Sequence, residues 1–226
     1  MNFAKDFAWG VATAAYQIEG GAYAGDKGLN VWDVGSATKG RIFEGHTGDT
    51  ACDHYRRFRE DVALMKKFGI KHYRLSVNWA RLIPAGTGKV SEEGKRFYLA
   101  LLDEMKRAGI KPWITLFHWD YPYALYLKGG WLNGDSPAWF EEYAAVCAEL
   151  FGGYTDRIIL INEPQCFIGL GHYSGVHAPF LKLPASEAMR AAHNVLLACG
   201  RAERRVRAIC GDSVKIGMLF YNRLVS

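Results

Sequence analysis

Glu163 stands between Asn162 and Pro164 at the end of an apolar run. Proline removes an amide donor and fixes the chain as it leaves that run. A carboxyl group so placed projects from a strand end. Flanked by Trp and Tyr side chains it would be partly desolvated, which favours the protonated form that general acid catalysis needs. A strand-end glutamate paired with a nearby arginine fits the same position. His118-Trp119-Asp120 closes a second apolar run. A histidine can donate to a substrate hydroxyl, and a tryptophan can offer its flat face to the apolar side of a sugar ring. A core tryptophan followed by a capping aspartate also fits. Arg74 lies inside a third apolar run, where a charged side chain needs a carboxylate partner. Gln17 and Glu19 bracket Ile18 behind the first run, where loop hydrogen bonding is their plainer use.

Other chemistries have no matching pattern. His172 and His177 are five apart in a Gly-rich segment, and no HExxH motif occurs, so no metal site is expected. There is no GxSxG elbow, and Cys166 with His172 is not a protease signature. Gly20-Gly21 fits neither GxGxxG nor GxxxxGK[ST], and no cofactor is expected. The five cysteines are odd in number and widely spaced, with no CxxC pair. They argue against a disulfide framework and for a reducing compartment.

The 226 residues are 50% hydrophobic and 14% aromatic, which excludes disorder. No stretch of about 18 residues is free of charges and turn residues, so no membrane span is expected. The net charge of +5 is mild, and the basic cluster Arg201 to Arg207 alternates with Ala, Glu and Val as a solvated helix face does. Nucleic acid is not an expected partner. The apolar stretch from Phe7 to Tyr16 has Asp6 at its edge and one lysine before it, which reads as mature protein. The cytoplasm is the expected location.

The elements that must position these residues alternate. The first strand falls in Phe7 to Ala12, and a Gly-rich connection covers Gly20 to Gly48. A helix from Thr50 to Phe68, capped by Asp49 or Thr50 and stopped by Gly69, puts Tyr55, Phe58, Val62 and Met65 on one face. A strand follows over Ile70 to Val77. Ser91 then caps a helix with Phe97, Leu101, Leu102 and Met105 inward and Gly109 behind it, leading to a strand over Ile110 to Phe117. Ser136 caps the next helix, with Pro137 in its first turn and Phe140, Tyr143, Cys147 and Leu150 inward, and Arg157 to Asn162 is the strand. A last helix over Ser186 to Cys210 precedes a fifth strand, Val214 to Phe220. This alternation predicts an α/β fold with a parallel sheet and helical crossovers. Gln17, Asn78-Trp79, His118-Trp119-Asp120 and Asn162-Glu163 all follow strands, as the mouth residues of a (β/α)8 barrel do.

Together the segments resemble family 1 glycoside hydrolases, the β-glucosidase family. Phe7-Ala-Trp-Gly-Val-Ala-Thr-Ala-Ala-Tyr-Gln-Ile-Glu-Gly20 is similar to that family's N-terminal signature. Further matches are Asp49-Thr-Ala-Cys-Asp-His-Tyr55, Tyr73-Arg-Leu-Ser76, Leu116-Phe-His-Trp-Asp120, Gly130-Trp-Leu-Asn133, Ile161-Asn-Glu-Pro164 and Gly175-Val-His-Ala-Pro179. The resemblance implies a retaining glycosidase with Glu163 as general acid/base. It implies glycone contacts from Gln17, His118, Trp119 and Asn162, with Asn162 at the 2-hydroxyl. It implies Arg74 beside the nucleophile, helping to keep it ionised, and a β-linked glucoside or related saccharide as substrate.

The family's nucleophile lies in a Thr-Glu-Asn-Gly-like motif, and no Glu-Asn-Gly occurs here. Five strands are legible where the barrel has eight. Residues 1–226 therefore read as a single domain, the N-terminal half of a glycosidase TIM barrel, with about four βα units and a fifth strand. Such a half is expected to self-associate or to pair with a C-terminal half-barrel, and to be weakly active or inactive alone. A non-catalytic carbohydrate-binding or assembly half-barrel, or half of a 6-phospho-β-glycosidase, fits the same residues.

Overall fold

In the computed structural model, residues 3–221 are described. Strand β1 is Gly10–Ala12, followed by helices α1, Ala15–Ile18, α2, Val31–Ala37, and α3, His54–Lys67. Strand β2, His72–Ser76, leads to α4, Trp79–Leu82, and α5, Glu92–Ala108. Strand β3, Lys111–Phe117, precedes α6, Tyr123–Tyr126, and α7, Ser136–Phe151. Strand β4, Arg157–Asn162, leads through α8, Pro164–Cys166, and a π-helical turn at Phe167–Tyr173 to α9, Ala185–Cys210, and β5, Lys215–Leu219. The sheet is parallel throughout with order β1-β2-β3-β4-β5. Sequential order with a helical crossover at each step belongs to a barrel; a doubly wound sheet reverses direction part way. The parallel sheet and the barrel-type alternation expected from the sequence are both present.

Apolar periodicity built the long helices as expected. In α5, Ser91 accepts from the Gly94 amide, Phe97, Leu101, Leu102 and Met105 are buried, and Gly109 ends the helix at φ 72°, a conformation that costs glycine little. Sheet and helices share one core, in which Leu75, Ile114, Leu116, Ile158 and Leu160 meet Phe97, Leu101, Phe140 and Val195. Trp79 lies in this core, stacked on Tyr143 at 4.5 Å, and Asn78 caps α4 by accepting from the Arg81 amide, so this strand-end pair is structural. No helix among the described residues is long and apolar enough to cross a membrane.

Three local readings are corrected. The Gly20 to Gly48 segment holds α2, opened by a capping box in which Asn30 accepts from the Trp32 and Asp33 amides and Asp33 accepts from the Asn30 amide. Helix α3 begins at His54 and not at Thr50, because Ala51 and Asp53 take left-handed backbone at φ 46° and 53°. Ser136 does not cap α7: Asp135 is the boundary residue, and Ser136 is buried with its hydroxyl unpartnered.

Among the described residues strand β1 pairs only with β2, and β5 only with β4. The difference shows in burial. Strands β3 and β4 are largely buried, whereas all of β1 is exposed and no residue of β5 is fully buried. Beside β5, a groove of ≈ 440 Å³ is lined by apolar residues that include Ile168, Met189, Leu196 and Phe220.

Candidate active site

Arg74, His118, Trp119 and Glu163 converge toward the ends of β2, β3 and β4, and they converge on one residue, Asn162. Asn162, the last residue of β4, is buried. Its Oδ1 accepts from an Arg74 guanidinium nitrogen at 2.5 Å, and its Nδ2 lies 3.2 Å from His118 Nε2 and donates to Glu163 Oε2 at 3.2 Å. Its backbone carbonyl accepts from Trp119 Nε1 at 2.8 Å. Every polar group of this side chain is engaged. Arg74 is held a second time, since its Nε donates to Thr115 Oγ1 at 3.0 Å. The register allows this contact, because β2 and β3 pair Arg74 with Trp113 and Ser76 with Thr115.

Glu163 and Trp119 have left-handed backbone, at φ 46° and 77°. Non-glycine residues pay a steric cost there, and such strain persists where surrounding structure enforces it. For Glu163 the enforcing contacts are its own amide, which donates to Leu219 O at 2.8 Å, and Pro164, which starts α8. Trp119 is pinned by its indole hydrogen bond and packs against the His177 ring at 5.8 Å.

Burial sets the charges. It pushes the His118 imidazole down to about 4, with the Arg74 cation adding to the effect, so His118 is neutral at neutral pH. Burial also lowers the Arg74 guanidinium, and the Glu163 carboxylate opposes it. Arg74 thus stands as a cation beside the Glu163 carboxyl group and one neutral imidazole. His118 Nδ1 is buried and has no partner among the described residues.

The other carboxyl groups near this edge are differently placed. Glu19 is buried and accepts from Arg81 Nε at 2.8 Å and from the Tyr98 hydroxyl at 2.6 Å. Asp120 is fully buried, with both oxygens unpartnered among the described residues, and burial with Glu19 nearby pushes its carboxyl well above the usual range. The Cys166 thiol is pushed up by burial and by Glu163, away from a reactive thiolate. No group of three or more His, Cys, Asp or Glu side chains converges as a metal site among the described residues.

Arg74, His118, Trp119, Asn162 and Glu163 are therefore gathered into one network. Gln17 is outside it: on α1, past the end of β1, its side chain is exposed and makes no hydrogen bond among the described residues. Thr115 was not singled out in the sequence, because a threonine inside an apolar strand carries no signal of its own. The left-handed backbone at Trp119 and Glu163 was equally silent. The arrangement brings a carboxyl group, a neutral hydrogen-bonding ring, an amide and an indole together at one strand-end cluster, a set of groups suited to a polyhydroxylated ring.

The model of the family described as "Glycosyl hydrolase family 1" matches residues 1–225. "Beta-glucosidase A" of Thermotoga maritima is 45% identical over 98% of this chain and 49% of its own length. "Beta-glucosidase A" of Acetivibrio thermocellus is 46% identical over 94% of this chain and 47% of its own. A solved structure of the Thermotoga maritima β-glucosidase in complex with glucoimidazole superposes with a TM-score of 0.95 at 44% identity, covering 97% of this chain and 50% of that one. The complex of the same enzyme with noeuromycin gives 0.94 at 45% identity, over 96% and 49%. The chain spans about half the length of the curated relatives it matches.

Proposed function

Since the chain belongs to glycosyl hydrolase family 1, we propose that its Asn162-centred network is the acid/base and sugar-binding part of a retaining β-glucosidase. The observation that carries this reading is the convergence of Arg74, His118 and Glu163 on the buried side-chain amide of Asn162, with Trp119 on its backbone carbonyl, at the C-terminal edge of a parallel sheet, where barrels of this type carry their chemistry. Glu163 passes its proton to the glycosidic oxygen as the bond to the anomeric carbon breaks. As a carboxylate it then takes a proton from the water that attacks that carbon. His118 and Asn162 bind hydroxyls of the glycone, Trp119 lies against its apolar side, and Gln17 closes on it from the β1 side. Arg74 keeps the attacking carboxylate ionised. The substrate is a β-linked glucoside, in line with relatives named as β-glucosidases.

A retaining mechanism needs a second carboxylate about 5 to 5.5 Å from the first. Glu19 is engaged by Arg81 and Tyr98, and Asp120 is sealed from solvent, so neither suits attack on a sugar. We assign the nucleophile to a second half-barrel that pairs along β1 and β5, with residues 1–226 acting as one half-barrel domain. The exposure of β1 and β5, the apolar groove beside β5 and the half-length match to the relatives support this partner.

Hydrolysis of an aryl β-glucoside is the test. The chain alone should turn over no faster than its Glu163→Gln variant. Addition of a C-terminal half-barrel from a relative, or of a small anion such as azide or formate, should raise the rate, and Glu163→Gln should abolish the gain. A gain that survives Glu163→Gln would sink the assignment of Glu163.

A further inference from the structure

Hydrogen-bond polarity passes through the site in one direction. A guanidinium only donates, so the Asn162 atom 2.5 Å from Arg74 must be the carbonyl oxygen. That fixes the amide nitrogen on the opposite side, where it meets Glu163 Oε2 and His118 Nε2, each at 3.2 Å. An NH2 group only donates, so Nε2 must accept. A neutral imidazole has one donor and one acceptor nitrogen, which leaves its proton on Nδ1.

We propose that Thr115 and Arg74 are positioning residues that act through the amide of Asn162 to hold His118 in its Nδ1–H tautomer. Thr115 is fully buried and fixes the guanidinium by accepting from its Nε at 3.0 Å, and Arg74 sets the amide. The amide in turn chooses the imidazole proton. Burial keeps the ring neutral, so the choice holds at neutral pH. Nδ1 is buried and has no partner among the described residues, so the amide contact at Nε2 is the one polar contact that sets where the ring proton sits. Its bearing on the proposed function rests on reading His118 as a sugar contact, since the tautomer decides which ring nitrogen carries the proton there.

The tautomer can be read without any sugar, so failure of the β-glucosidase reading would leave this inference standing. The chain labelled with 15N-histidine is observed at neutral pH by two-bond ring proton–nitrogen correlation, with His118→Gln to assign the signal. The expected spectrum has a protonated Nδ1 and an unprotonated Nε2 at His118. Protonated Nε2, or an even mixture of the two forms, would overturn the proposal. Thr115→Val removes the acceptor with little change of shape and should convert the single tautomer to a mixture, while Thr115→Ser should restore it. An unchanged His118 signal in Thr115→Val, with the other histidine signals intact, would remove Thr115 from the relay. Asn162→Asp places only acceptors against the ring and should invert the tautomer to Nε2–H. That outcome and the parent spectrum decide the matter even if Thr115→Val fails to fold.

Discussion

Burial holds the His118 imidazole at about 4 in the folded chain, against an ordinary value near 6.5. The unfolded chain therefore binds a proton that the folded chain refuses, and stability rises with pH across that interval. The contribution is complete above pH 6.5 and is lost as the pH falls toward 4. Its size is about 3 kcal/mol, from the interval and the free energy of one tenfold step in proton affinity. In urea titrations at a series of pH values, His118→Gln should flatten the acid limb between pH 6.5 and 4 relative to the parent chain; parallel curves would contradict it. Glu19 gives a second prediction. It neutralises Arg81, whose head is buried and also donates to the carbonyls of Gly20 and Gly21. Glu19→Gln leaves that cation without a counter-charge, which costs about 3 to 5 kcal/mol, and the urea midpoint should fall accordingly.

Among the elements, legibility followed the strength of the local signal. Helix α5 was readable to within a residue or two because a cap, two acidic first-turn residues, a periodic apolar face and a terminal glycine agree. Helix α2 was not: it spans seven residues, contains Gly35, and lies in a Gly-rich segment that shows no apolar period. Its one signal was Asn30 three residues before Asp33, and Asn30→Ala should cost about 1 kcal/mol in chemical denaturation. The start of α3 was misread because left-handed backbone at Ala51 and Asp53 leaves no mark in residue type. The site divides in the same way. Glu163, His118, Trp119 and Arg74 announced themselves as polar or aromatic residues at or within apolar strands. That Asn162 joins them depends on strands separated by more than forty residues, and spacing along the chain does not encode which atoms meet. Gln17 matched the resemblance and yet stands apart, its side chain exposed and without a hydrogen bond among the described residues.

At the scale of the whole molecule, both sheet edges and the groove beside β5 present surface suited to association. Met189 and Leu196 are 66% and 58% exposed on α9, and Phe220 is 56% exposed beyond β5. Sedimentation velocity of the chain alone should show a concentration-dependent species larger than a monomer, and Met189→Lys with Leu196→Glu should shift it toward the monomer. A compact monomer at all concentrations would count against pairing through this face. The strand order has a further consequence. Among the described residues every strand is hydrogen-bonded only to its neighbours in sequence, so none of these pairings waits for a strand beyond the next one. Loop closure is then limited to one crossover at a time, and the sheet can grow in the order in which a ribosome releases it. A nascent chain arrested soon after β4 should already carry exchange-protected β2 amides, while the acid at the end of β4 is still inside the exit tunnel.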